Sequence, residues 1–151
     1  MTSTVIEQNG FERLFNRLMS WLARHGLGPM GMQQLIVRGR SSGQERTAAV
    51  NPLPLDGELY LVAARGETQW VRNARAVGTV VLRKRSRRSA YVIEQVYGDD
   101  AVPVLRAYLK KWGFEVKSFF DGVGPDASVA ELAAAAKAHP VFRLTPADLP
   151  Q

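Results

Sequence analysis

Gly39-Arg40-Ser41-Ser42-Gly43-Gln44-Glu45-Arg46 puts two glycines, two hydroxyls and two guanidiniums into one short connection. Glycines let backbone N–H groups turn toward a common point, and the hydroxyls and guanidiniums add donors and positive charge. The chemistry this composition suits is anion binding, and a phosphate is its natural guest. Arg65, followed by Gly66, ends a later strand and can bring a further cation to the same end of a sheet. Gly39 to Gly43 also matches the Gly-x-Ser-x-Gly elbow, which raises a serine hydrolase with Ser41 as nucleophile and His139 as base. That elbow needs a helix directly after the serine, whereas the residues beyond it, carrying Pro52 and Pro54, read as strand. The same stretch lacks the Gly-Lys-[Ser/Thr] ending of a nucleotide P-loop, and no Gly-x-Gly-x-x-Gly fingerprint occurs.

The elements that must position these residues follow from periodicity. Residues 33–65 read as three strands with two tight turns: Leu35-Ile36-Val37 leads into the arginine-serine turn, 47–55 returns, and 58–64 follows the Asp56-Gly57 hairpin signal. Pro52 and Pro54 place the second strand at an edge or bulge, and 58–64 is apolar on both faces, as in a central barrel strand. A helix over 67–77 sets Trp70, Asn73 and Ala74 on one side, where a tryptophan ring and an amide could meet a planar ligand. A second hairpin pairs 79–84 with 90–96 around an arginine-rich tip at 85–89. Asp99-Asp100 opens a helix running through Trp112, and Ser128 with Glu131 matches a capping box for an alanine-rich helix to about His139. Residues 140–144 read as a closing strand and 145–151 as a tail.

At 151 residues and 46% apolar content the chain is expected to form a single domain over 1–151 with one core. It has no cysteine, so a thiol nucleophile, a disulfide framework and thiolate-bound zinc are excluded. His25 and His139 are its only imidazoles, and no metal site is expected. No apolar run approaches the roughly 18 residues of a membrane span, and a cytoplasmic protein is expected. Near the start, Asn9 and Glu12 resemble a helix cap. Phe11, Leu14, Phe15, Leu18, Met19 and Leu22 then repeat at helical spacing, first as a core-packing face and second as a peripheral membrane contact. The net charge of +6 and pI near 10.1 suit any polyanion. The Arg83–Arg88 tip carries no stacking aromatic, so it reads as a solvated hairpin end and no nucleic-acid partner is expected.

Five segments, taken in order, resemble the deazaflavin-dependent nitroreductase family of actinobacteria: 39–46, Asn51-Pro52-Leu53, Val62-Ala63-Ala64-Arg65-Gly66, Trp70-Val71-Arg72-Asn73-Ala74-Arg75-Ala76, and Pro140-Val141-Phe142-Arg143-Leu144. The resemblance implies a mainly β, α+β fold: a split β-barrel of the FMN-binding, flavin-reductase type with an N-terminal helix and flanking helices. It implies the deazaflavin coenzyme F-420 as cofactor, with Arg40, Ser41, Ser42, Gln44, Arg46 and Arg65 around its phosphate and polyglutamate tail, Trp70 and Asn73 near its ring, and Ala64 also among the cofactor-binding residues. Ser41 and Arg65 stand where members often carry lysine. The activity implied is hydride transfer to an electron-poor enone, quinone or nitro compound. Phe15, Met19, Trp112 and Phe119 would wall the acceptor pocket, and no side-chain nucleophile is needed. An FMN enzyme and a non-catalytic barrel holding a cofactor, fatty acid or membrane surface are the alternatives. Monomer and homodimer both stay open.

Overall fold

The computed structural model describes residues 32–116 and 119–148. The cap at Asn9 and Glu12 and the aromatic stripe, with Phe15 and Met19, lie outside them.

Seven strands form one wholly antiparallel sheet: β1 (Gln33–Arg38), β2 (Glu45–Val50), β3 (Leu53–Leu55), β4 (Glu58–Val62), β5 (Thr79–Lys84), β6 (Arg87–Val96) and β7 (Val141–Ala147), in the order β2-β1-β5-β6-β7-β4-β3. Among the described residues three helices accompany it, α1 (Gln69–Val77), α2 (Val102–Val116) and α3 (Val129–Ala138), with a 3-10 turn, Gly98–Ala101, leading into α2.

Alternation along the strands sorts side chains between two cores. Leu35 and Val37 of β1, Leu61 of β4, Val80 and Leu82 of β5, Ile93 of β6, and Phe142 and Leu144 of β7 share an inner cluster. Val71 and Ala74 of α1, both 0% exposed, plug it. The neighbours Val62 and Val141 point the other way, into a second cluster built with Leu105, Tyr108 and Trp112 of α2 and Leu132 of α3. β4 and β7 are thus covered on both faces, which is why 59–64 is apolar on both faces.

The continuous strand expected over 47–55 is two strands at opposite edges of the sheet. The chain leaves β2 at Val50 and re-enters as the three-residue β3. Pro52 has no N–H to continue a ladder, so pairing breaks at Asn51-Pro52 and the chain crosses from one edge to the other. This crossing leaves the split of the barrel between β2 and the end of β4.

Local signals account for the remaining joins. Asp56 (φ 50°) and Gly57 (φ 79°) both lie in the left-handed region that a two-residue hairpin turn requires. Ser128 Oγ accepts from the Glu131 N–H (3.1 Å), the N-cap bond the spacing predicts, and the same hydroxyl donates to Glu131 Oε1 (3.1 Å). The second hairpin turns more tightly than expected, at Arg85-Ser86 alone, and the last strand runs on to Ala147 because β6 is long enough to pair with it.

Candidate functional site

The arginine-serine turn closes on itself and on α1. The Gly39 N–H donates to Gln44 O (2.8 Å) and the Gly43 N–H to Gly39 O (2.9 Å). Arg38 Nη1 donates to Gly43 O (2.9 Å), and the Gln44 N–H to Ser42 Oγ (3.2 Å). Gly39 is packed tightly: a Cβ there would fall 2.6 Å from Ser42 Oγ and 3.8 Å from Arg46 Nε. Arg46 therefore folds back over the turn that Arg40 leads.

Arg40 is held from α1. Its backbone N–H donates to Asn73 Oδ1 (3.0 Å), its Nη1 to the same oxygen (2.8 Å) and to Gln69 Oε1 (3.0 Å). Gln69 and Asn73 are four residues apart and so share one helix face. Both partners are neutral amides, and among the described residues neither Arg40 nor Arg46 meets a carboxylate. Asn73, 4% exposed, spends its carbonyl oxygen on this loop. Sequence reasoning, which set it beside a ligand ring, missed that role, because the partner lies 33 residues away.

Beside the turn, in the split, lies a cavity of about 170 Å³. Ala48–Asn51 of β2 and its end form one wall, Val62–Arg65 the other, and Thr68, Trp70, Tyr108, Val116 and Phe119 complete it. Asn51 Oδ1 and Thr68 Oγ1 are buried there with no hydrogen-bond partner among the described residues. The Arg65 guanidinium lies 5.7 Å from the centre of the Phe119 ring, and Trp70 leans on Phe142 at 5.8 Å.

The Ala64–Thr68 segment is fixed at both ends. His139 Nδ1 donates to Ala64 O (2.9 Å) while its ring stacks on Phe120 at 4.0 Å. Burial pushes this imidazole below its ordinary pKa. Arg75 grips Glu67 with two bonds, Nη1 to Oε2 (2.9 Å) and Nη2 to Oε1 (2.7 Å), and donates through Nε to Gln95 Oε1 (3.0 Å). The bonds from Arg75 hold the Glu67 carboxyl below the usual range.

Of the expected site residues, the structure gathers Arg40, Ser41, Ser42, Gln44 and Arg46 in the turn, and Ala64, Arg65, Trp70 and Phe119 around the cavity. Trp112, expected in the pocket wall, is 1% exposed in the helical core against Tyr108 (5.2 Å). Tyr108, one helical turn earlier, takes the wall position. Thr68 and Asn51 were not singled out as site residues by their spacing. Ser41 is followed by β2 and not by a helix, and His139 is engaged with Ala64, so the hydrolase elbow is not formed. Among the described residues there is no cluster of metal-ligating side chains, and no helix is long and apolar enough to cross a membrane.

Residues 19–115 match the model of the F-420H(2)-dependent quinone reductase family. No curated protein matches the chain in sequence. Among solved structures, an F-420-H2-dependent reductase superposes with TM-score 0.54 at 15% identity, covering 76% of this chain and 94% of its own. The heme storage protein HutZ of Vibrio cholerae gives 0.56 at 11% identity over 80% and 84%. A NimC/NimA family protein of Clostridium acetobutylicum gives 0.52 at 16% identity over 91% and 88%. At such identities the likeness is one of fold, the split β-barrel.

Proposed function

Because the chain belongs to the F-420H(2)-dependent quinone reductase family, we propose that it reduces an electron-poor acceptor, a quinone before an enone or nitro compound, using the reduced deazaflavin coenzyme. The bound coenzyme supplies the hydride chemistry; the protein supplies position and exclusion of water. Arg40, Ser41, Ser42, Gln44 and Arg46 would hold its phosphate, Arg65 a carboxylate of its tail, and Ala64 and Trp70 would border its ring. Asn73 would act through Arg40.

The observation that carries this reading is the wiring of the turn. A guanidinium fixed by two neutral amides keeps its charge while losing its freedom, so much of the ordering cost of binding an anion is met in advance. A coenzyme with a phosphodiester and a chain of carboxylates fits such a cradle, and the aromatic and aliphatic walls of the adjoining cavity fit a flat ring. The test is anaerobic turnover: reduced coenzyme with menadione, an enone and a nitroarene in parallel, followed by the returning absorbance of the oxidised coenzyme. Enzyme-dependent oxidation with menadione is expected. Tight binding of the coenzyme with no turnover of any of the three acceptors would overturn the proposed acceptor classes.

A further inference from the structure

The arginine-rich hairpin tip belongs to neither the cradle nor the cavity, and its residues are chosen against its own stability. In the β5–β6 register Arg83 stands opposite Arg88 and Lys84 opposite Arg87, two like-charge pairs where opposite charges would stabilise the ladder. Alternation along the strands puts the two pairs on opposite faces, so the hairpin is cationic on both. Arg85, at the apex, has φ 58°, while Ser86 is not left-handed. A two-residue turn with positive φ at its first central residue alone takes glycine there by preference. Arg83 Nε donates to Arg85 O (2.9 Å), which ties the apex back to the strand and keeps the cations together. Among the described residues one carboxylate reaches these five side chains, that of Glu45, 3.5 Å from Arg88. Local choices that weaken a turn while concentrating charge on it mark a place where the charge meets a partner.

The tip also projects. β1 pairs with β5 as far as Gln34 opposite Arg83, and β7 pairs with β6 as far as Ala147 opposite Ala90. Residues 84–89 therefore extend as a two-stranded finger beyond both flanking strands, with 84–88 exposed. Between 83 and 89 there is no aromatic ring on which a nucleic-acid base could stack. The chain enters β1 at Gln33, beside the base of the finger, and the sequence before it carries the apolar stripe from Phe11 to Leu22. A polybasic cluster and an apolar stripe attached at the same end of a sheet are the two signals that together hold a protein on an anionic bilayer, where either alone holds it weakly. A nucleic acid would meet the cations and leave the stripe without a use.

We propose that the Arg83–Arg88 finger docks on an anionic lipid surface, with its cations among the headgroup phosphates. This stands apart from the oxidoreductase reading above and does not depend on it. The attraction is one of point charges near a charged plane, so it needs no pocket, works from both faces of the finger and weakens with salt.

The test is cosedimentation of the full chain with vesicles of phosphatidylcholine mixed with phosphatidylglycerol, against vesicles of phosphatidylcholine alone. The wild type is compared with Lys84→Gln/Arg85→Gly/Arg87→Gln, which removes three charges, and with Arg85→Lys/Arg87→Lys, which keeps them. Arg88 is left in place because its bridge to Glu45 touches the strand that leaves the anion turn. The wild type is expected to bind the mixed vesicles and to be released by salt. The triple variant is expected to bind them roughly 100-fold more weakly, about fivefold per charge, and the lysine variant to stay within about twofold of wild type. Because the triple variant puts glycine at the left-handed position and dissolves one like-charge pair, its melting temperature is expected to rise, an effect that a merely structural tip would not show. Its coenzyme affinity is expected to match that of the wild type. A wild type with no preference for the anionic vesicles, or a triple variant that binds them undiminished, would overturn the proposal. So would lost binding accompanied by a lowered melting temperature, or a duplex oligonucleotide bound more tightly than the vesicles at the same ionic strength.

Discussion

Asn73 Oδ1 accepts two hydrogen bonds from one residue, the backbone N–H and the Nη1 of Arg40, and so fastens the anion turn to a helix that is itself the plug of the barrel. The position of the cradle is thereby set by the core.

Asn73→Ala removes the acceptor and leaves the Arg40 N–H without its partner. A loss of about 1–3 kcal/mol in denaturant unfolding is expected, together with weaker coenzyme binding. Asn73→Asp keeps an acceptor of the same shape and adds a negative charge beside Arg40. It is expected to fold stably yet bind the anionic coenzyme about tenfold or more weakly, which separates charge from order in the turn.

Arg40 and Arg46 have no carboxylate to satisfy among the described residues, so their removal leaves no orphaned acid behind there. Each alanine variant is expected to cost about 1.5–3 kcal/mol of coenzyme affinity, roughly 10- to 150-fold, with little change in melting temperature for Arg46→Ala. Wild-type affinity is expected to fall with added salt and that of the double variant to fall less, as isothermal titration at two ionic strengths would read.

The two glycines of the turn are expected to differ. Gly43 has φ 70° and open space, with nothing within 4 Å of where an added methyl would sit, so Gly43→Ala costs only backbone strain, about 1–2 kcal/mol in unfolding. Gly39→Ala puts a methyl 2.6 Å from Ser42 Oγ. The serine must rotate and release the Gln44 N–H, so coenzyme affinity is expected to drop about tenfold along with stability. Paired unfolding and titration curves check both.

His139 is buried with its pKa pushed below the ordinary 6.5 by desolvation, against smaller opposing pulls from its hydrogen bond to the Ala64 backbone and then from Asp121. The unfolded chain therefore takes up the proton first as pH falls. The contribution of neutral His139 is complete above the unfolded value and is lost as pH drops from about 6.5 toward the lower folded pKa, at no more than about 1.4 kcal/mol per pH unit. Urea midpoints measured across this range are expected to decline for wild type and to flatten there in His139→Gln.

Local chemistry made part of this legible in the sequence. The Asp56-Gly57 turn, the Ser128 cap and the anion turn are each written in a few adjacent residues, and the doubly apolar 58–64 stretch announced a strand covered on both sides. The order of the strands, the edge-to-edge crossing at Pro52 and the Asn73 clamp depend on residues distant in the chain, which spacing alone does not pair. Thr68 was hidden for another reason: at an N-cap a threonine looks ordinary, and only the missing cap bond and its place in the cavity wall set it apart. Trp112 was misplaced because helical spacing gives a face but not what lies opposite it.

The most direct measurement is a tryptophan-fluorescence titration of the purified protein with oxidised deazaflavin coenzyme, with FMN in parallel and the Arg40→Ala/Arg46→Ala double variant as control. Micromolar quenching by the deazaflavin, weak or absent with FMN and lost in the double variant, is the predicted result. Equal affinity of a well-folded double variant, or no binding by the wild type, would contradict the account.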